Sequence, residues 1–359
     1  MNSSEVTSIL KDLLAGQKLS EQQASAVMTA ILDGDAKPEQ IGAFLVALYF
    51  RTPVASELTG FVQAVRAKSL ELELPNRQHM IDVCGTGGDG LASFNVSTCV
   101  AFVAAASGLT VAKHGNRAVS SRCGSFDVLE ALKIPFAATA EHAKADLKEF
   151  ALSFLLAPAF HPALTQIAPL RRHLGVRTVF NALGPLLNPV RVGRQLLGVY
   201  SEALLIPMAE TLQRLGVQEA LVVRGEDGSD ELSLSSATCM VHLRNGNIHE
   251  KKFHPEELGL SCQPVTAIAG GEPQENAALL LGVLQGQRGP RRDVTLMNTA
   301  AALVVGGQAE SFKQGFEIAG DAIDSGRALA LLERMRSQSQ SASQPQKPEK
   351  IRPPEKKRA

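Results

Sequence analysis

Hydrophobic residues recur at helical spacing through the first seventy positions of the chain. Ser20 and Gln23 form the pattern of a capping box, which marks the start of a helix. The apolar positions that follow it on one helix face are Ala24, Val27, Met28 and Ile31. Segments that begin near Pro38 and Ser56 repeat this spacing, and no strand pattern interrupts them. Residues 1–75 are therefore predicted to form a small helical domain.

The pattern changes near residue 80 to short apolar runs that alternate with helical segments. The predicted strands cover 80–84, 110–113, 153–157, 196–200 and 219–223. The predicted helices cover 95–107, 125–132, 141–150, 203–215, 274–284, 293–305 and 311–323. A hairpin is expected where Asn245 and Gly246 follow the run 239–243. This alternation predicts an α/β domain over 76–335, with a mainly parallel, mixed sheet flanked by helices.

Two segments connect or end these domains. The turn-forming residues of 184–189 indicate a hinge-like crossing, and helices from about 165–190 are expected to join the small domain. Residues 336–359 lack apolar residues to bury, so we predict a disordered basic tail there. The whole chain has 36 basic and 36 acidic residues. Six Lys or Arg and two Glu lie from Ser337 onward, so the rest of the chain has 30 basic and 34 acidic residues.

Composition excludes several classes of protein. The 359 residues are 45% hydrophobic and 20% charged, as in a folded chain of two domains. No apolar stretch reaches the roughly 18 residues that span a bilayer, and the first residues do not form a signal-peptide pattern. The five cysteines are odd in number, and no CxxC is present, which argues against disulfides and zinc. We therefore expect a cytoplasmic protein with no membrane partner, and the balanced charge argues against nucleic acid.

The glycine-rich segment Cys84–Gly90 lies between a predicted strand and a predicted helix. Its glycines allow sharp turns, and the helix that follows near Asn95 begins with unpaired N–H groups. Loop and helix start together suit a phosphate or a pyrophosphate. The spacing matches neither GxGxxG nor GxxxxGK[ST], and a tight structural turn is the alternative.

Three further segments carry charged groups. The segment 113–124 contains Lys, Arg, Asn and Ser donors, which points to a ligand with several phosphates, or else to a solvated loop. Asp230 and Glu231 are adjacent carboxylates of the kind that bind Mg²⁺ together with substrate phosphate oxygens, although exposed pairs of acids are also common. Arg171 can pair with a carboxylate, or simply face solvent. No Ser/His/Asp or Cys/His arrangement is recognisable.

Taken together, the motifs resemble those of the anthranilate phosphoribosyltransferase family. They occur in a consistent order over about residues 5–335, as GTGGD, NVST, KHGNRAVSS, DVLEAL, HPA, RRxLGxRTxFNxLGPxxNP, DEL, GGxxQENA and GxxRDxxxMNxA. The resemblance implies a helical domain joined to a larger α/β domain, and a homodimer formed through the helical domains. It also implies Mg²⁺-dependent transfer of phosphoribose from 5-phosphoribosyl 1-diphosphate to the amine of anthranilate. This reaction releases pyrophosphate and is the second step of tryptophan synthesis from chorismate.

The resemblance also implies roles for individual residues. The donor diphosphate is expected at Gly85, Gly88, Asp89, Ser93, Asn95, Val96, Ser97, Thr98, Lys113, His114, Gly115, Asn116, Arg117, Ala118, Val119, Ser120, Ser121 and Ser125. Two Mg²⁺ per subunit are expected at Ser97, Asp230 and Glu231, and anthranilate at Gly85, Asn116 and Arg171. Catalysis is expected to be electrostatic, without a covalent nucleophile, through Lys113, Arg171, Asp230 and Glu231.

Three positions depart from the family pattern, namely Cys123, Phe126 and Phe160. The first two affect the packing of a donor loop, and the third affects the entrance for anthranilate. Two other functions stay open at this point. One is a pyrimidine nucleoside phosphorylase, which shares the architecture and a similar glycine loop. The other is a non-catalytic nucleic-acid-binding relative, an alternative that the basic tail suggests.

Overall fold

The first four helices form a bundle that begins where the sequence predicts it. The computed structural model describes residues 3–118 and 122–342. The helices of the bundle are α1 (Ser3–Leu14), α2 (Glu21–Asp33), α3 (Pro38–Tyr49) and α4 (Ala55–Arg66). Helix α2 starts with the predicted capping box, in which the Ser20 amide donates to Gln23 Oε1 at 2.9 Å and the Gln23 amide donates to Ser20 Oγ at 3.2 Å. It ends at Gly34, whose φ of 78° is left-handed.

A seven-stranded sheet forms the centre of the second part of the chain. Its strands are β1 (Ile81–Gly85), β2 (Val111–Gly115), β3 (Leu152–Leu156), β4 (Arg194–Gly198), β5 (Glu219–Gly225), β6 (Thr238–Arg244) and β7 (Asn247–Phe253). The order is β3-β2-β1-β4-β5-β6-β7. Strands β1 to β5 pair in parallel, and β6 pairs antiparallel with both β5 and β7. The predicted mixed sheet and its hairpin edge are therefore confirmed.

Helices cover both faces of this sheet. They are α5 (Val96–Ala106), α6 (Ser125–Ala131), α7 (Ala140–Phe150), α8 (Ala157–Phe160), α9 (Ala168–Leu174), α10 (Val179–Leu183), α11 (Leu205–Arg214), α12 (Pro273–Leu284), α13 (Pro290–Val305), α14 (Phe312–Asp324) and α15 (Arg327–Ala342). Helices α5 to α7 and α11 to α14 match the predictions to within a few residues, whereas α15 was not predicted. Helices α8 to α10 were not predicted individually, because four to seven residues are too few to show a helical period.

The expected start of the tail at residue 336 is wrong. Helix α15 continues through this position to Ala342, and its apolar residues Leu332 and Met335 are fully buried. A packed helix can extend into a polar segment, because each added residue forms one more backbone hydrogen bond without a new nucleus. The rest of the predicted tail, 343–359, lies outside the described residues.

Burial alternates along the central strands. On β5, Leu221 and Val223 belong to a core formed with α5 and α12 to α15, whereas Ala220 and Val222 belong to a second core on the other face. The second core also contains α2, α4, α10 and α11, so the N-terminal bundle packs against the sheet through the segment that follows residue 165. Among the described residues, no helix is long and apolar enough to cross a membrane.

The chain reverses its direction across the sheet beside β1. Strand β1 pairs in parallel with both β2 and β4, so the chain moves to one side for β2 and β3 and returns to the other side for β4. In open α/β sheets, such a switch point leaves a crevice at the carboxyl ends of the strands, where ligands bind. The glycine loop after β1 and the residues after β4 meet at this crevice.

Candidate functional site

Asp230 occupies a space that glycines leave open at the ends of β1 and β4. A Cβ on Gly85 would lie 2.3 Å from Asp230 Oδ2, and one on Gly198 would lie 1.5 Å from the Asp230 carbonyl oxygen. The amide of Gly87 donates to Asp230 Oδ2 at 2.7 Å. Any side chain at Gly85 or Gly198 would therefore displace the aspartate from the crevice.

The loop after β1 adopts the conformation that its glycines permit. Gly87, Gly88 and Gly90 have φ values of 63°, 74° and 80°, which are left-handed. Asp89 closes the loop by accepting from the Leu91 amide at 3.2 Å. The loop then leads into the first turn of α5, where the sequence predicts an anion site.

Lys113 is buried, and it connects β1 to the first turn of α5. Its Nζ donates to the Val83 carbonyl oxygen at 2.6 Å and to Ser97 Oγ at 3.1 Å. Below it, Asp82 accepts from the His114 amide at 3.2 Å and from the Asn188 side chain at 2.8 Å. Burial raises the pKa of Asp82 to about 6, although the ammonium of Lys113 opposes this rise.

Negative charge accumulates at the crevice. Burial raises the pKa values of Asp230 and Glu231, and the repulsion between the two carboxylates and Asp89 raises both further. Such an arrangement favours a bound cation, because a cation removes the repulsion. A hydroxyl at Ser97 and the two carboxylates are hard oxygen donors of the type that Mg²⁺ prefers. The three residues therefore fit the expected metal.

The donors of this group alone do not surround a metal ion. Within residues 3–118 and 122–342, no three His, Cys, Asp or Glu side chains converge into a metal-binding cluster. Mg²⁺ is usually bound through one or two carboxylates together with substrate phosphates and water. Asp230 and Glu231 match that mode of binding.

The segment after β2 is folded against the start of α6. Asp127 accepts from the amides of Ala118 and Gly124 at 2.9 and 2.8 Å, which closes the loop. The guanidinium of Arg117 binds Glu130 at 2.5 Å, so in this conformation it faces α6 and not the crevice. The amide of Arg117 binds its neighbour, Asn116 Oδ1, at 2.8 Å. The predicted donor residues Val119, Ser120 and Ser121 lie outside the described residues.

Asn95 is held at the start of α5 by a residue to which the motifs assigned no role. Asn276, in the QENA motif, donates to Asn95 Oδ1 at 2.9 Å and accepts from the Gly271 amide at 2.7 Å. Cys123, one of the three departures, donates weakly from Sγ to the same Asn95 oxygen at 3.4 Å. Glu272 and Pro273 form a helix-start pattern in the sequence, which could have placed Asn276 in the first turns of a helix.

The other two departures fill the core. Phe126 is fully buried, with its ring in edge contact with Phe136 at 5.1 Å between centroids. Phe160 is also buried, beside His161, whose Nδ1 lies 2.6 Å from Ser69 Oγ. The structure thus packs all three side chains without disrupting the ion pairs and loops described above.

Arg171 lies on α9, in the layer formed by the short helices α8 to α10. Its Nη2 donates to Asn181 Oδ1 at 3.4 Å, and its guanidinium lies 5.3 Å from the ring centre of Phe180. Asn181 also accepts from the Thr178 amide at 3.1 Å, which fixes the loop between α9 and α10. Arg171 is therefore oriented by residues of its own layer.

None of the cysteines near the site is prepared to act as a nucleophile. Burial raises the pKa of Cys99 to about 12 and raises the pKa values of Cys84 and Cys123 above the usual range. Thiols of this kind stay protonated at neutral pH and behave as small packing residues.

The chain matches two consecutive family models. Residues 7–69 match the helical bundle domain of a glycosyl transferase family, and residues 77–329 match the a/b domain of a glycosyl transferase family. Anthranilate phosphoribosyltransferase from Thermomicrobium roseum is 46% identical over 346 residues, which are 96% of this chain and 99% of that relative. The relative of the same name from Symbiobacterium thermophilum is 45% identical over 91% of this chain and 96% of its own length. The chain belongs to the anthranilate phosphoribosyltransferase family.

Solved structures of this family have the same fold. The anthranilate phosphoribosyltransferase from Thermus thermophilus superimposes with a TM-score of 0.85 at 42% identity, over 92% of this chain and 99% of that structure. The enzyme from Saccharomyces cerevisiae, described in complex with PRPP and Mg, gives a TM-score of 0.86 at 31% identity, over 95% and 99%. The fold class and the family expected from the motifs are therefore confirmed, and the chain is a glycosyltransferase.

Proposed function

We propose that the chain is an anthranilate phosphoribosyltransferase that uses Mg²⁺ and 5-phosphoribosyl 1-diphosphate. The single observation that carries this proposal is the convergence of the glycine loop, Lys113 and the Asp230–Glu231 pair at the switch point of the sheet. This group suits a diphosphate, and Arg171 on α9 suits a carboxylate.

The donor occupies the sheet side of the crevice in this proposal. Backbone N–H groups of the glycine loop and of the first turn of α5 hold the diphosphate, and Lys113 holds Ser97 in place for it. Asn95, kept in position by Asn276, borders the same turn. Asn116 and the loop that follows it complete the donor site, with the remaining donor residues as predicted above.

Arg171 and Asn116 hold the acceptor on the other side. The aromatic amine of anthranilate is neutral at pH 7, so its nitrogen can attack C1 of the ribose directly. The N–C1 bond forms, the bond from C1 to the pyrophosphate oxygen breaks, and the amine loses a proton. Because no enzyme nucleophile is needed, catalysis rests on positioning and on stabilising charge at the sugar and the leaving group.

Ser97, Asp230 and Glu231 would hold the metal in this proposal, with two ions per subunit. Bound Mg²⁺ supplies positive charge that stabilises the departing pyrophosphate oxygens. The contribution of the chain is the geometry: Gly85, Gly87 and Gly198 keep the Asp230 carboxylate at the crevice.

A fluorescence assay tests the proposed function. Purified protein with Mg²⁺ should consume anthranilate fluorescence only when 5-phosphoribosyl 1-diphosphate is present. Consumption of thymidine or uridine with phosphate instead would assign the protein to the nucleoside phosphorylases. Salt-sensitive DNA binding without transferase activity would indicate the nucleic-acid-binding alternative.

The Arg171→Ala variant should chiefly raise the KM for anthranilate. The loss of a charged hydrogen bond to the carboxylate corresponds to about 1.5–3 kcal/mol, or about a tenfold to hundredfold rise. Steady-state kinetics with each substrate varied in turn measure this effect. A rise confined to the KM of the donor would show that the aromatic acid binds elsewhere.

We also propose that the protein is a cytoplasmic homodimer, paired through the helical domain of residues 1–75. Apolar residues at the ends of α1 and α3 are exposed, with Leu14, Tyr49 and the C-cap residue Phe50 at 72%, 51% and 80% of their full area. Large exposed side chains of this type mark protein interfaces when they share a surface. Sedimentation should give twice the chain mass, and Phe50→Asp should shift the protein toward monomer.

A further inference from the structure

The loop between α9 and α10 contacts the glycine loop across the crevice. Arg177 Nη1 donates to the Gly88 carbonyl oxygen at 2.5 Å. A Cβ on Gly88 would lie 3.1 Å from Arg177 Cδ, so the stem of the arginine packs directly on the glycine. Gly88 itself has a φ of 74°, a left-handed backbone conformation that few other residue types adopt.

Tyr200 supports the guanidinium of Arg177 from the sheet side. The guanidinium carbon lies 4.7 Å from the centre of the Tyr200 ring, within cation–π range. Tyr200 follows β4, and its amide donates to Thr86 Oγ1 at 2.9 Å. The Thr86 amide in turn donates to the Gly198 carbonyl oxygen at 3.0 Å. The backbone that carries this ring is thus bonded to the loop after β1, which is itself bonded to the end of β4.

We propose that Arg177 is a positioning residue for the donor, and that it holds the glycine loop in its anion-binding conformation from the opposite side of the crevice. This inference rests on the function proposed above. Arg177 acts on the peptide of Gly88, which lies among the predicted diphosphate-binding residues. A planar guanidinium can bind the carbonyl and stack on the ring at the same time, whereas a lysine ammonium makes only a point contact.

The Arg171 end of the same segment is held separately. Its partners are Asn181 and Phe180, both within the helical layer. In the proposed function, Arg171 binds the acceptor and Arg177 binds the donor loop. Loss of Arg177 should weaken the donor site and leave the acceptor site nearly unchanged.

Arg177→Ala should weaken binding of 5-phosphoribosyl 1-diphosphate in the presence of Mg²⁺ by about tenfold, as measured by calorimetry on the full chain without anthranilate. The KM for anthranilate should stay within about twofold, because Arg171 keeps its partners. Arg177→Lys should recover only part of the donor affinity, since it cannot bind the carbonyl and stack on Tyr200 together.

Arg334 provides a matched control. Its Nη2 donates to the Glu149 carbonyl oxygen at 3.1 Å, and its guanidinium lies 5.3 Å from the ring centre of Phe150. Arg334→Ala removes the same two kinds of contact, together with an exposed ion pair to Glu149 Oε1 at 3.0 Å, so it should lower thermal stability at least as much without changing the Kd of the donor. Equal Kd values for Arg177→Ala and Arg334→Ala would overturn the inference. If the unaltered protein itself takes up no donor, the proposed function and this inference both fail.

Discussion

Asp230→Asn combined with Glu231→Gln is expected to lower kcat by at least about a hundredfold, comparable to the loss of a principal electrostatic stabiliser. The change removes the two carboxylates of the proposed metal site but keeps their size and an oxygen that can accept from the Gly87 amide. Steady-state rates at saturating substrates measure the effect. Normal rates in the double variant would contradict a metal role for this pair.

The same variant should be at least as stable as the unaltered protein in buffer without Mg²⁺. Burial and mutual repulsion raise the pKa values of both carboxyls, so keeping them ionised at pH 8 costs folding free energy. Replacing them with amides removes this cost, and the melting temperature should not fall. Glu226→Gln is the control. Glu226 is an exposed acid close to the pair in the sequence, and it accepts a hydrogen bond from Lys252 Nζ at 2.7 Å. It should leave both rate and stability unchanged.

Lys113→Met should have the second large effect, on stability as well as on activity. The ammonium of Lys113 is buried beside Asp82 and Glu231, so its removal leaves buried negative charge without compensation. We expect a loss of about 3–5 kcal/mol in the free energy of unfolding. Because Ser97 also loses a partner, kcat/KM should fall by about a hundredfold to a thousandfold. Denaturant unfolding and steady-state kinetics measure the two losses.

The pH dependence distinguishes lost charge compensation from simple loss of packing. Asp82 is ionised above its pKa of about 6 and protonated below it. The stability deficit of Lys113→Met should therefore be greatest near pH 8 and smaller at pH 5. A deficit that does not change with pH would show that Lys113 acts by packing alone. Lys148→Met, at an exposed position of α7, is the control and should have little effect at either pH.

Much of the fold follows from local patterns in the sequence. The capping box at Ser20 and the turn at Asn245–Gly246 involve neighbouring residues, so their structure depends on local geometry. Strands buried on both faces appear as short apolar runs, which is why β1 to β5 were predicted within a few residues. The glycine loop was recognisable from its glycines between a predicted strand and a predicted helix, and three of them adopt left-handed conformations in the structure.

The contacts that assemble the site join residues far apart in the chain. Gly88 and Arg177 are separated by 89 positions, and Asn95 and Asn276 by 181. No spacing rule connects such pairs, since their proximity depends on the order of strands in the sheet. The orientation of Arg117 toward Glu130 was also not predictable, because either an anion at the crevice or an acid on α6 satisfies the same guanidinium. The family motifs indicated which residues matter but not which partner each would take.

The stacking of Arg177 on Tyr200 has a spectroscopic consequence. The chain contains no tryptophan and two tyrosines, one on α3 and the other beside the glycine loop. Replacing Tyr49 with phenylalanine would leave Tyr200 as the sole tyrosine, which can be excited at wavelengths that phenylalanine does not absorb, next to a cation that can quench it. Light from that single ring would then report whether the contact between Arg177 and Tyr200 changes when the donor is added, without any added label.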